Sequence, residues 1–335
     1  MKRADASRPP FVSTGSLPPH GDVRALVCEA HERFRSVTLG ENSPVYPALK
    51  HAPSGMFGVC VADTAGTVHC AGDAAEEFTV MSISKPFVFA LVCQELGVEK
   101  VRQKVGVNAT GLPFNSVEAI AQSPDGRTNP MVNPGAIATS SLVPGASAEA
   151  RWQFVRDGLS RFAGRELALN DEVCACALET NHRNQEIART LASRGRIYSD
   201  PVDAVGLYTR QCCLNVTARD LAVMGATLGD GGVNPQTGEQ VIDAAICHYA
   251  LAVMATAGLY ETSGDWLFDI GLPGKSGISG GIVAVSPGKG GIGVFSPPLD
   301  AAGNSVKGQL AAKFLSHQLG MDLFVSRHRQ GISDR

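Results

Sequence analysis

The chain has 335 residues, 44% of them hydrophobic and 18% charged, with 37 glycines and 19 prolines. That length supports one large domain or two lobes around a substantial core. The formal net charge of −3, with no Lys/Arg stripe interleaved with aromatics, excludes the basic footprint of a nucleic-acid binder.

Met1-Lys2-Arg3 opens the chain, but residues 4–22 are rich in Pro, Ser and Gly and lack an apolar secretory core. A flexible leader is predicted over 1–22. Val23, Leu26, Val27 and Phe34 then share one side of a first helix over 23–36. Residues 56–62, the turn Asp63-Thr64-Ala65-Gly66 and residues 67–70 read as a β-hairpin. From Ser84 to about Thr262 the composition turns to helices and loops rich in Ala and Leu. Within it, Thr217-Ala218-Arg219-Asp220 predicts a capping box opening a helix over 221–228, stopped at Gly229-Asp230-Gly231-Gly232. Strand patterning returns at 280–285 and 292–295 around a turn at 286–290. A closing helix from Ser305 packs Val306, Leu310, Phe314 and Leu315 and ends near Gly320, ahead of a charged tail over 326–335.

Strands from both ends therefore flank a helical middle. The predicted fold is α/β of the α+β kind: one antiparallel sheet built from both ends of the chain, carrying helices, beside a helical lobe. A single domain is expected over 23–325, with a sheet lobe at about 23–80 and 265–325 and a helical lobe at about 81–264. Ligand sites tend to fall between such lobes. The longest apolar stretch, 244–260, is interrupted by His248 and too short to cross a bilayer. A cytoplasmic protein is expected. Cys174-Ala175-Cys176 and Cys212-Cys213, among nine cysteines, lack paired Cys-x-x-Cys spacing. Buried, reduced thiols are expected, with no metal and no cofactor.

Two lysine motifs carry the chemistry. Ser82-Ile83-Ser84-Lys85 puts a hydroxyl and an amine one helical turn apart, so a lysine can take the proton of a serine nucleophile. Pro86 is acceptable only in a helix's opening turn, so the helix must begin close to Ser82. There, unpaired N–H groups and the positive dipole end favour developing negative charge. Lys275-Ser276-Gly277 is a small, Lys-bearing strand segment of the kind that closes the other side of such a site. The pairing resembles the serine acyl-transfer enzymes with a penicillin-recognising fold. Ser286-Pro287-Gly288-Lys289 repeats the first pattern inside a Gly/Pro turn, where nothing fixes serine against lysine, and is read as coincidence.

Longer segments resemble the serine-dependent glutaminases of the bacterial and mitochondrial type, from about Val45 to Leu319. They are Asn129-Pro130-Met131-Val132-Asn133-Pro134-Gly135-Ala136-Ile137 (Pro134 replacing the usual Ala), Thr180-Asn181-His182-Arg183-Asn184, Gly258-Leu259-Tyr260, the run from Gly271 to Ile282, and Ser296-Pro297-Pro298-Leu299-Asp300 with Gly303 to Gly308. The resemblance implies a β-lactamase-like fold, deamidation of L-glutamine to L-glutamate and ammonia, and a homo-oligomer, often a tetramer. It implies Ser82 as nucleophile, Lys85 as general base and Tyr260 as proton relay. The N–H groups of Ser82 and Ile278 would form the oxyanion hole, and Tyr46, Asn133, Asn184 and Tyr208 would hold the amino-acid head group. The family usually carries Glu seven residues before Asn184, to meet the substrate ammonium, and Gln before the nucleophile; here those positions are Ala177 and Met81. Glu179 is a possible substitute. Two other readings stay open: the same chemistry on a different amide, or a non-catalytic amino-acid-binding homologue.

Overall fold

The computed structural model describes residues 15–325; residues 1–14 and the tail at 326–335 lie outside the described residues. The first helix runs His20–Phe34, so it begins at His20 rather than Val23. Pro19, whose φ is fixed and which needs no N–H partner, is a compatible residue at its start.

The predicted hairpin forms β1 (Gly58–Asp63) and β2 (Val68–Gly72). A short pair, β3 (Phe78–Thr79) with β4 (Asn215–Val216), follows. The late strands are β5 (Gly274–Ser276), β6 (Gly281–Ser286) and β7 (Gly290–Phe295). The five-stranded sheet has the order β2-β1-β7-β6-β5, antiparallel throughout. Its centre is the β1–β7 pairing, with Gly58 opposite Phe295. The sheet is thus built from both ends of the chain, as predicted.

Alternation along the strands sends side chains to two cores. Val59, Val61, Ile282, Ala284, Ile292 and Val294 pack with Val23, Val27, Ala311 and Leu315 of the outer helices His20–Phe34 and Val306–Gln318. Cys60, Ala62, Val283, Val285 and Phe295 face the other way, into the core shared with the helical middle. Burial on both faces explains why these strands read as apolar runs rather than clean polar alternation.

The helix Ala218–Gly229 lies directly on the sheet. Its capping box is complete: Thr217 Oγ1 accepts from Asp220 N, and Asp220 Oδ2 accepts from Thr217 N. A Cβ at Gly293 would stand 2.1 Å from Ala218 O, and one at Gly291 would stand 2.4 Å from Ala222 O. Backbone contact between helix and strand therefore requires glycine in β7. The central helix Ser84–Leu96 has every residue from Ser84 to Cys93 buried. A helix apolar on all sides belongs inside a core. Among the described residues, no helix is long and apolar enough to cross a membrane.

One expectation is corrected. Cys60 and Cys70 are joined as a disulfide across β1 and β2, with Cα atoms 4.2 Å apart; Cys28, Cys93, Cys174, Cys176, Cys212, Cys213 and Cys247 are free. The pair forms because the hairpin register sets these two residues opposite each other. Their spacing along the chain is not a motif, so register rather than sequence brings them together.

Candidate active site

β3 delivers the chain to Val80, whose N–H donates to Leu214 O at 2.8 Å. Met81 then takes φ +47° and starts a 3-10 turn, Met81–Ile83, that runs into the Ser84–Leu96 helix. The helical region opens close to Ser82, at Met81, with the serine inside this tighter turn and the α-helix starting at Ser84. A left-handed φ on a non-glycine residue costs about 1–2 kcal/mol and persists only where the surroundings over-determine it.

Ser82 is 7% exposed and lines a cavity of about 200 Å³ with Tyr46, Asn133, Asn184, Tyr208 and Ile278. Lys85, 2% exposed, lies one turn further on. Its Nζ donates to Asn133 Oδ1 at 2.8 Å and to Met131 O at 3.3 Å. Among the described residues it is not hydrogen-bonded to Ser82. Asn133 is a hub: its Oδ1 also accepts from Tyr208 Oη at 3.0 Å, and its Nδ2 donates to Asn184 Oδ1 at 2.9 Å. Residues 85, 133, 184 and 208, from four different helices, thus form one polar chain.

Tyr260 opens a 3-10 turn, Tyr260–Thr262, with φ +58°. Its ring lies 4.1 Å from Lys275 Nζ and 4.7 Å from the Phe114 ring. Gly258, just before it, abuts β5 so closely that a Cβ there would stand 1.8 Å from Gly274 O. The tip after β5 in turn packs on the 3-10 turn of Ser82: a Cβ at Gly277 would stand 3.1 Å from Val80 O. This brings Ile278 to the cavity. Among the described residues, the amides of Ser82 and Ile278 donate to no protein group.

Burial governs the electrostatics. It pushes Lys85 down to about 7. It holds Lys275 well below the ordinary lysine range, and the neighbouring Lys85 lowers it further. The Tyr260 phenol is pushed up to about 12 by burial, opposed by the Ser82 and Ser276 hydroxyls. Burial likewise raises Tyr46 and Tyr208. At neutral pH the site therefore holds protonated phenols and a Lys85 amine poised between its charged and neutral forms.

The head-group end departs from expectation. Ala177 is buried in the cavity wall, whereas Glu179 points outward and is exposed. Among the described residues, no carboxylate lines the cavity. Arg183 is its charged lining residue, tied to Asn115 O at 3.0 Å and Glu186 Oε2 at 2.8 Å. Reading the sequence missed Phe114, Ser276 and Cys212, a buried thiol beside Lys85 and Tyr208. Only Ser276 carried a signal, standing next to Lys275 in a quoted motif. The repeat at Ser286 is structural: Ser286 Oγ donates to Met321 O at 2.8 Å, and Lys289 Nζ donates to Gly320 O. A larger cleft of about 570 Å³ at Arg102, Asp125 and Arg127 contains no lysine or cysteine. Among the described residues, no group of three or more His, Cys, Asp or Glu side chains could hold a metal.

The glutaminase family model matches residues 40–324. The chain belongs to the glutaminase family. It is 66% identical over 316 residues to Glutaminase 2 of Yersinia pestis, covering 94% of this chain and 93% of that one. Its fold matches that of a probable glutaminase, ybaS, with TM-score 0.91 and 42% identity over 92% of this chain and 100% of the other. It also matches the glutamate form of Mglu, with TM-score 0.84 and 35% identity, over 91% and 70%. The β-lactamase-like fold expected of a glutaminase is therefore present.

Proposed function

We propose that this glutaminase-family enzyme converts L-glutamine and water to L-glutamate and ammonia through an ester on Ser82, with Lys85 as general base. The observation that carries the reading is the setting of Lys85. A neutral amine has two N–H groups and one lone pair; both N–H groups are engaged by Met131 O and Asn133 Oδ1. The lone pair is left for the Ser82 proton one turn away. Burial brings the amine down to about 7, so a large fraction of it is deprotonated at neutral pH.

In acylation, Ser82 Oγ bonds to the carboxamide carbon as its proton passes to Lys85. The oxyanion is met by the Ser82 and Ile278 amides, each worth about 3 kcal/mol. The C–N bond then breaks. Tyr260 gives its proton to the departing nitrogen and recovers one from Lys85, so the step releases neutral ammonia and leaves the ester. In deacylation water bonds to the acyl carbon as its proton passes to Lys85; the Ser82 Oγ–C bond then breaks, glutamate leaves, and Lys85 returns the proton to Ser82 Oγ. Tyr46, Asn133, Asn184 and Tyr208 hold the head group through amide and phenol groups that serve both carboxylate and ammonium.

The carboxylate-free wall at Ala177 favours a second reading, in which the same chemistry acts on an amide without a free α-ammonium. A desolvated ammonium with no ion partner is costly. Ammonia release over L-glutamine, L-asparagine and N-acetyl-glutamine separates the two. Free glutamine is expected to be turned over best; a clear preference for the acetylated amide would install the second reading instead. For location we propose the cytoplasm, a reading supported by the seven free thiols and opposed by the Cys60–Cys70 disulfide.

A further inference from the structure

The Ser276 hydroxyl is fully buried on β5 and, among the described residues, has no hydrogen-bond partner; the Tyr260 hydroxyl is in the same condition. An unmade hydrogen bond in a dry site costs about 1–3 kcal/mol. Two such orphans around one lysine call for a reason. Both belong to one cluster around Lys275 Nζ, and neither hydroxyl completes a hydrogen bond there. Lys275 Nζ donates to Ser276 O at 2.7 Å while sitting 4.1 Å from the Tyr260 ring, which fixes the backbone at Ser276 against the tyrosine. Tyr260 itself is held in a left-handed conformation, so its placement depends on neighbours.

We propose that Ser276 is the positioning residue for Tyr260: its O–H donates to the phenol oxygen and leaves the phenol O–H aimed at Ser82 and the departing nitrogen. A donor at that oxygen also stabilises the negative charge that develops there as the proton leaves. The proton count of acylation is unchanged, since Ser276 keeps its own proton. This inference rests on the reading of Ser82 as nucleophile and Tyr260 as proton carrier.

The test compares Ser276→Ala, Ser276→Cys and Ser82→Ala with wild type for kcat, KM and Tm on L-glutamine. Ser276→Ala is expected to lower kcat by about 10- to 100-fold with KM within about twofold and Tm not lowered, because a hydroxyl without a completed hydrogen bond adds no stability. Ser276→Cys, a weaker donor of similar shape, is expected to recover part of kcat. Wild-type kcat in Ser276→Ala, or a loss that comes with a lower Tm and no recovery in Ser276→Cys, overturns the inference. An inactive Ser82→Ala beside a fully active Ser276→Ala defeats this inference alone, whereas an active Ser82→Ala defeats the reading beneath it.

Discussion

In the proposed mechanism Lys85 sets the pH behaviour. Its amine accepts a proton only when neutral, and burial puts that transition at about 7. The kcat/KM for glutamine is expected to fall as pH drops through about 7, with no loss from Tyr260 until far above neutrality, since burial pushes that phenol up to about 12. A pH profile flat down to pH 5 would contradict this. The same burial has a stability consequence of definite sign. The folded-state value lies below the ordinary 10.5, so between about 7 and 10.5 the unfolded chain binds more protons and stability rises with pH. The penalty is full below about 7 and gone above 10.5. Lys85→Met is accordingly expected to be inactive yet to melt about a few degrees higher than wild type at pH 7, as calorimetry can check. Little of this was legible in advance. The Ser-x-x-Lys spacing gave the pair, but the partners of Lys85 come from Met131 and Asn133, 46 and 48 residues away.

Elements whose signals are local were readable. Thr217 and Asp220 form their capping box within four residues, and the uniformly apolar run after Pro86 became the buried central helix. Features that depend on register or on packing were not. The 3-10 turn at Ser82 is imposed by β3 and by the tip after β5, and the Cys60–Cys70 link follows from hairpin pairing. β2 is the edge of the sheet opposite β5, so this disulfide lies away from Ser82. Cys60→Ser is expected to leave kcat unchanged while lowering stability by about 2–3 kcal/mol, the cost of releasing a short closed loop. Chemical denaturation measures it, and a large loss of kcat would contradict the separation of hairpin and site.

Across the molecule, the site exists only because the sheet is closed from both ends. The early hairpin pairs with β7, which places β5 beside Gly258 and the Met81–Ile83 turn. The helical middle then supplies Asn133, Asn184 and Tyr208. That plan was visible in the order of strand and helix patterns; the cavity wall was not. Ala177 could be recognised as a departure, but only the helix Asp171–Thr180 reveals that Glu179 turns outward and cannot replace it. Ala177→Glu is expected to lower KM for glutamine about tenfold by giving the ammonium a charged partner; no change in KM would mean that neutral groups already suffice.

The most direct measurement is ammonia release from L-glutamine by purified Ser82→Ala beside wild type, with Tm confirming that both are folded. Removal of the proposed nucleophile is predicted to cut kcat by about four orders of magnitude or more. A folded Ser82→Ala enzyme that still releases ammonia at the wild-type rate would contradict a Ser82 ester.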